Sequence, residues 1–305
     1  MKIITDFDST HGLDPKKVGS ALSEYGFVKI VGLDLGLSES INMGFGQYLS
    51  RPDKNENTQG HNRKVFSNIN LVLMALKAVG AGKEETKALS SLVKLMSSET
   101  LKSIRCAIEL YLGRRPLVSD YLYQISPPRK DQARILGWHA DIGQTNISSR
   151  MRRVKGFIYL NDIDEKNGAF SYVPRSHIFS LQLRELAIES GANSLNTIED
   201  FFKFCETIKD EDSQGPVKFF RDLQNNIKEN QDKTNKFMIC GKAGTIVLFD
   251  ELGIHAGGIV TEGLRQVFRI GYRSEDMYWK NVGCKSALPR SFAARLPFTK
   301  LRHIF

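Results

Sequence analysis

The chain has 305 residues, of which 41% are hydrophobic and 25% charged, a balance that excludes disordered, collagen-like and coiled-coil classes. Its length allows one large domain or two small ones, and a core that needs no disulfide or metal staple. Lys and Arg number 43 against 34 Asp and Glu, for a net charge of +9; the excess is spread along the chain, so it reads first as solubility and second as attraction to anionic partners.

No apolar run approaches the roughly 20 residues of a membrane span; the best, Leu71 to Gly82, is short and carries Lys77. Asp6 and Asp8 stand where a signal peptide needs its apolar stretch, which argues against secretion by that route. Cys106, Cys205, Cys240 and Cys284 form no CxxC pair and are irregularly spaced. Reduced thiols in a cytoplasmic protein are therefore expected.

In chain order, Asp14 and Pro15 open a helix with Val18, Leu22 and Tyr25 on one face, and Gly26 closes it. The β-branched run Phe27 to Val31 reads as a strand, and the polar stretch Ser50 to Asn62 as a loop. From Asn68 to Leu112 the pattern is helical: Leu89, Leu92 and Met96, then Leu101, Ile104, Ile108 and Tyr111. Ser97 or Ser98 caps the second set, and Gly113 ends it. Short strands follow at Tyr121–Ile125, Lys155–Leu160, Ala169–Val173, Gly244–Phe249 and Gln266–Tyr272. Their close intervals predict a sandwich or barrel rather than a parallel α/β sheet. Between Phe179 and Lys236 helical clusters at Leu181–Ile188, Ile198–Ile208 and Phe219–Ile227 read as an insertion between barrel strands.

The sharpest local feature is Gly137-Trp138-His139-Ala140-Asp141. On an extended segment residues two apart share a face, so the His139 imidazole and the Asp141 carboxylate would converge. Alone such a pair is weak: His139 could be a hydrogen-bonded core histidine and Asp141 a loop cap. His255, just after a strand and a turn, is the candidate third ligand, although it could also be a surface turn residue. Two histidines and one carboxylate form a facial triad, which leaves three positions open on an octahedral metal and suits non-haem Fe(II). Arg265 begins the alternating run Arg265 to Tyr272. If Val267 faces into the barrel, so do Arg265 and Arg269, and a buried guanidinium fits a carboxylate with two parallel hydrogen bonds. The alternative is a pair of exposed strand arginines with salt-bridge partners.

His139-Ala140-Asp141, Phe157 to Asp162, Asn167-Gly168-Ala169-Phe170, Pro174-Arg175-Ser176-His177, His255 and Arg265 together resemble the phytanoyl-CoA dioxygenase-like family. The likeness runs mainly from Tyr121 to Arg273. It implies a mainly β fold with flanking helices: a double-stranded β-helix, or cupin-like jelly-roll barrel, with a helical insertion. It implies an enzyme, an Fe(II)- and 2-oxoglutarate-dependent dioxygenase that hydroxylates its substrate with O2 and releases succinate and CO2. His139, Asp141 and His255 would hold the iron. Arg265 would bind the far carboxylate of 2-oxoglutarate, favoured over Arg269 by the match at Thr261 to Arg265. Asp141 fills the position that halogenating relatives leave to chloride, so oxygenation is expected. The chain departs from the pattern at Arg175, where glycine is usual, at Gly257, where a small hydroxyl is common, and at Phe157, often tryptophan.

One domain over 1–305 is expected: helical support over 1–115, barrel core over 116–178 and 237–275, a lid-like insertion over 179–236, and a basic segment over 276–305. The Ser50–Asn62 loop is a second lid candidate. A small-molecule substrate, anionic or carrier-linked, is preferred. The alternatives are a protein or nucleic-acid substrate, or a barrel that only binds ligand. Nucleic acid is disfavoured because no clustered basic stripe with stacking aromatics accompanies the motifs. Tyr121, Tyr123 and Phe157 either line the pocket or fill the barrel. His177 reads as a turn residue or a substrate contact, His61 as a loop residue that could cover the site, and Gln124, Thr145 and Asn146 as weaker cosubstrate donors.

Overall fold

Asp14 accepts hydrogen bonds from the free amides of Lys16 and Lys17, and Pro15 occupies the first turn, so the chain turns helical at once. This helix, α1 (Pro15–Tyr25), buries Val18, Ala21, Leu22 and Tyr25. Gly26 stops it at φ 80°, and its amide returns to Leu22 O at 2.9 Å. A side chain at Gly26 would also collide with the His177 ring and the Tyr172 hydroxyl, so this glycine sets both the turn and the packing beneath it. The computed structural model describes residues 5–49, 62–67, 83–128, 137–141, 152–192, 195–209, 215–229 and 237–274.

Among these residues the strands are β1 (Asp6–Asp8), β2 (Phe27–Val31), β3 (Asn62–Ser67), β4 (Pro116–Ser126), β5 (Arg153–Tyr159), β6 (Phe170–Tyr172), β7 (Met238–Ile239), β8 (Ile246–Asp250), β9 (His255–Ala256) and β10 (Arg265–Ser274). The remaining helices are α2 (Leu35–Leu49), α3 (Lys83–Met96), α4 (Glu99–Leu112), α5 (Ser176–Glu189), α6 (Ile198–Thr207) and α7 (Pro216–Glu229). The larger sheet runs β1-β2-β8-β5-β10-β4-β3, and the smaller β7-β6-β9. Only β1 pairs in parallel, with β2; every other ladder is antiparallel.

The two sheets face one another across Phe157, Phe170 and Phe249, whose rings lie 4.4–5.1 Å apart. This is the jelly-roll expected from the sequence, with α1 and α4 packed on the outside of the larger sheet. The alternation of β4 splits its side chains. Leu122 and Gln124 point between the sheets, while Tyr121 stacks on Phe268 at 5.9 Å and Tyr123 donates to Asn42 at 2.6 Å. Tyr121 and Tyr123 therefore fill the outer core, and Phe157 alone of the three aromatics lines the pocket.

The barrel strands and the early helix form where expected; β4 and β10 run longer at both ends, β6 is shorter at both, and β5 and β8 are shifted by one or two residues. The helices of the insertion begin at Ser176 and end at Glu229, and they build a second apolar cluster around Leu183, Phe201, Phe204 and Phe220. Helix α2 and strand β3 carried no sequence expectation, except that Asn62, placed in the loop, opens β3. The rest of the Ser50–Asn62 loop, the 68–82 part of the helical run, His61, Thr145, Asn146, Cys284 and the basic segment over 276–305 lie outside the described residues. Cys106, Cys205 and Cys240 are free thiols. No described helix is long and apolar enough to cross a membrane.

Candidate active site

The segment 137–141 is held from two sides. Toward the barrel, His139 N donates to His255 O at 3.0 Å, His255 N to His139 O at 2.8 Å, and Asp141 N to Glu251 O at 2.9 Å. Toward the insertion, Ala140 N donates to Asn196 O and Ile198 N to Trp138 O, both at 3.0 Å. His139 and His255 are direct antiparallel partners, so their side chains leave on one face, with ring centroids 4.5 Å apart. Asp141, two residues on, joins them.

Ligand atoms of His139, Asp141 and His255 all lie within 4.8 Å of one another. His139 Nε2 is 3.3 Å from Asp141 Oδ1, and His255 Nε2 is 3.7 Å from Asp141 Oδ2. Donors about 2.1 Å from one ion at right angles stand about 3 Å apart, and both histidine–carboxylate separations are near that spacing. The Nδ1 atoms face the carbonyls of Gly137 and Gly253, each at 2.8 Å. A carbonyl only accepts, so in the neutral rings Nδ1 carries the proton and Nε2 keeps its lone pair for a metal. The donor chemistry and both tautomers fit a divalent ion.

Several neighbours fix this geometry. Ser176 Oγ accepts from Ile254 N at 2.8 Å and donates to Val173 O at 2.6 Å, bracing the residue that leads into His255 at the start of β9. Arg175 holds the left-handed conformation at φ 67°, so the turn keeps the shape glycine would give it, at the cost of steric strain. Tyr172 stacks on His255 with an interplanar angle of 12°, and its hydroxyl sits where a side chain at Gly253 would fall. Asp250 accepts from Leu252 N at 2.7 Å and from the Tyr111 hydroxyl, which fixes the turn before His255. His177 does not line the cavity; it packs against Gly26, with Nε2 3.1 Å from Ser23 O, and is a structural residue of the turn.

Burial opposes the charge on Asp141, but the two imidazoles and the Lys155 ammonium beside it outweigh burial and hold the carboxyl well below its usual range. Burial also lowers the His139 pKa, yet the Asp141 carboxylate, which accepts from Nε2 once the ring is protonated, prevails and the net shift is upward. For His255 burial prevails over the same carboxylate, and the pKa falls. Lys155 ion-pairs with Asp141 and lies 3.5 Å from Glu251.

The triad opens on a cavity of about 280 Å³ between the sheets. Phe157, Phe170 and Phe249 form its apolar wall, with Gln124 and Gly257 also on its border. Arg265 and Arg269 both reach it from β10, as the alternation requires. Arg265 is buried and donates to Gly168 O at 2.7 Å, Gly258 O at 3.1 Å and Ser126 Oγ at 3.3 Å. Gln124 extends that chain by donating to Ser126 Oγ at 2.8 Å. Arg269 donates to Asp120 at 2.7 Å, so its charge is met within the protein. Sequence reasoning missed Lys155 and Glu251. Lys155 shares the inward register of Phe157 and could have been found by the same alternation; Glu251 carries no local signal.

A jelly-roll with two imidazoles and a carboxylate at one wall of its cavity and a buried guanidinium along the same cavity has the architecture of an iron- and 2-oxoglutarate-dependent oxygenase. The chain belongs to the phytanoyl-CoA dioxygenase (PhyH) family, whose model matches residues 49–267, and it is an Fe(II)/2-oxoglutarate-dependent oxygenase. Among solved structures it is similar to EctD from S. alaskensis with bound Fe, at 17% identity and a TM-score of 0.52, over 85% of this chain and 76% of that one. It is also similar to SnoK, a non-heme alpha ketoglutarate dependent carbocyclase from nogalamycin biosynthesis, at 15% identity and a TM-score of 0.50, over 87% and 85% of the two chains. At these identities the likeness speaks for the fold. No curated protein matches the chain significantly.

Proposed function

We propose that this chain hydroxylates a small molecule, using Fe(II) held by His139, Asp141 and His255, 2-oxoglutarate anchored by Arg265, and dioxygen. The carrying observation is the convergence of the three donors on a cavity that Arg265 also enters. When bound, the iron lets dioxygen and 2-oxoglutarate supply the oxidising power, with succinate and CO2 as by-products. The chain's own residues do the rest. The carbonyls of Gly137 and Gly253 present both Nε2 lone pairs. The Arg265 fork meets a carboxylate with paired hydrogen bonds. The three phenylalanines keep water from the reacting centre. Lys155 steadies the Asp141 carboxylate from the cavity wall.

A volume of about 280 Å³ stands at the lower end of small-molecule sites, roughly 300–1,000 Å³, and favours a metabolite over a macromolecule. The carboxylate of Asp141 favours oxygen insertion over halogenation. The iron in EctD and the cosubstrate dependence of SnoK support the same cofactors. We assign 116–178 and 237–275 to the barrel core and 179–236 to an insertion that helps cover it. The irregular cysteine spacing supports a reducing, cytoplasmic setting.

Anaerobic titration with Fe(II) and then 2-oxoglutarate tests this reading. Wild type is expected to develop a metal-to-ligand charge-transfer band that His139→Ala lacks. A featureless wild type, or an identical band in the variant, refutes it. Succinate release across metabolites, peptides and oligonucleotides then identifies the substrate class; coupling to macromolecules alone would overturn the small-molecule assignment.

A further inference from the structure

Arg184 of α5 is 2% exposed, among the largest fully buried side chains of the described residues. Among the described residues no carboxylate touches it. Its Nε donates to Leu195 O at 2.8 Å, and Nη2 makes a longer contact, 3.5 Å, with Ala140 O. The guanidinium lies 5.1 Å from the Phe201 ring centroid, and Nη1 has no partner among the described residues. Burial pulls its pKa down to about 9, so it stays charged at neutral pH. Asp141 and Asp250 act on it only through space.

A buried cation without a contacting carboxylate costs folding free energy. Its placement shows what it does. Ala140 stands between His139 and Asp141. Leu195 leads into Asn196 and Thr197, which pair with the 137–141 segment from the insertion side. One planar fork thus reaches the carbonyls of both paired segments.

We propose that Arg184 is a positioning residue that couples the helical insertion to the metal-binding segment, fixing His139 and Asp141 by tying the Leu195 and Ala140 carbonyls together. The insertion is therefore part of the metal site's support as well as its cover. This inference rests on the assignment of His139, Asp141 and His255 as metal ligands.

The test uses the full chain, metal-free, titrated with Co(II) and read by its d–d absorption, for wild type, Arg184→Lys and Arg184→Met. Arg184→Lys keeps the charge and loses the fork; Arg184→Met loses both. Both are expected to keep the wild-type melting temperature within a few degrees, to bind Co(II) about 10-fold more weakly, the scale of a lost outer partner, and to give altered band positions. Hydrogen exchange at the Ala140 amide, measured without metal, is expected to quicken about 10-fold in both. Unchanged affinity, spectrum and exchange in Arg184→Lys overturn the proposal, as does tighter binding by Arg184→Met, which would show that charge repulsion outweighs positioning. If Arg184→Met does not fold, Arg184→Lys decides. Failure of wild type to bind Co(II) would instead overturn the ligand assignment itself, and the inference with it.

Discussion

His139 and His255 offer the same ring chemistry from two different supports. Each points Nδ1 at the carbonyl two residues earlier and Nε2 at Asp141. His255 is held by barrel elements: the Asp250 turn, the Ser176 brace and the Tyr172 ring. His139 depends on a short segment whose outer edge is paired by the insertion. Their electrostatics divide in the same way: burial keeps the inner ring neutral, while the Asp141 carboxylate favours a proton on the outer one. Protonation of the inner ring is thus disfavoured and that of the outer ring favoured, relative to an ordinary histidine.

The largest expected effect breaks the inner support. Gly253→Ala drives a methyl into Tyr172 and displaces the carbonyl that orients His255. Metal affinity should fall about 100-fold, the upper range for a lost outer partner, as isothermal titration would show; wild-type affinity would mean the Gly253 carbonyl is dispensable.

The second prediction sharpens the contrast by pH. In metal-free protein, NMR should show His139 titrating above the ordinary 6.5 and His255 below it. Metal affinity should therefore weaken as the pH falls through the His139 value, and proton release on binding should come from His139. The reverse order of titration would remove the distinction between the two rings.

The third concerns stability beside the inner support. Burial lowers the His177 pKa from 6.5 to about 4. The unfolded chain therefore takes up this proton first on acidification. Stability contributed by this group is present above pH 6.5 and lost as the pH falls toward 4, by about 3 kcal/mol at most. His255 acts with the same sign and His139 with the opposite one. Urea melts of His177→Gln should show a shallower acid loss than wild type; equal slopes would leave His177 without a part in it.

The smallest effect is at the turn that carries the Ser176 brace. Arg175→Gly relieves the left-handed strain and should stabilise the chain by about 1 kcal/mol, after allowing for glycine's greater unfolded freedom. A loss of stability on thermal melting would show that the Arg175 side chain contributes more than its strained backbone costs.

Elements with strong local signals were legible in advance. Asp14, Pro15 and Gly26 mark α1 because capping and φ preferences act within a few residues. The inward register of β10 was readable because alternation is a property of the strand itself. Helix α2 lacks such signals, with three glycines spread through it (Gly36, Gly44 and Gly46) and no acidic residue in its first turn. The site was legible in its three converging donors and not in their supports. His139 and Asp141 are neighbours in sequence, whereas Tyr111 reaches the Asp250 turn, and Glu251 and Arg184 reach the 137–141 segment, only through long-range contacts.

The sequence by itself determined the chemistry on offer: two imidazoles, a carboxylate and strand arginines, in a β-rich frame with a helical insertion. Tertiary structure alone decided that His139 pairs with His255, that Asp120 neutralises Arg269, that Lys155 reaches Asp141, and that a buried arginine of the helical stretch stands behind the 137–141 segment. Residue type and spacing set local conformation, while charge compensation and ligand convergence depend on which distant segments share a hydrogen-bonded edge.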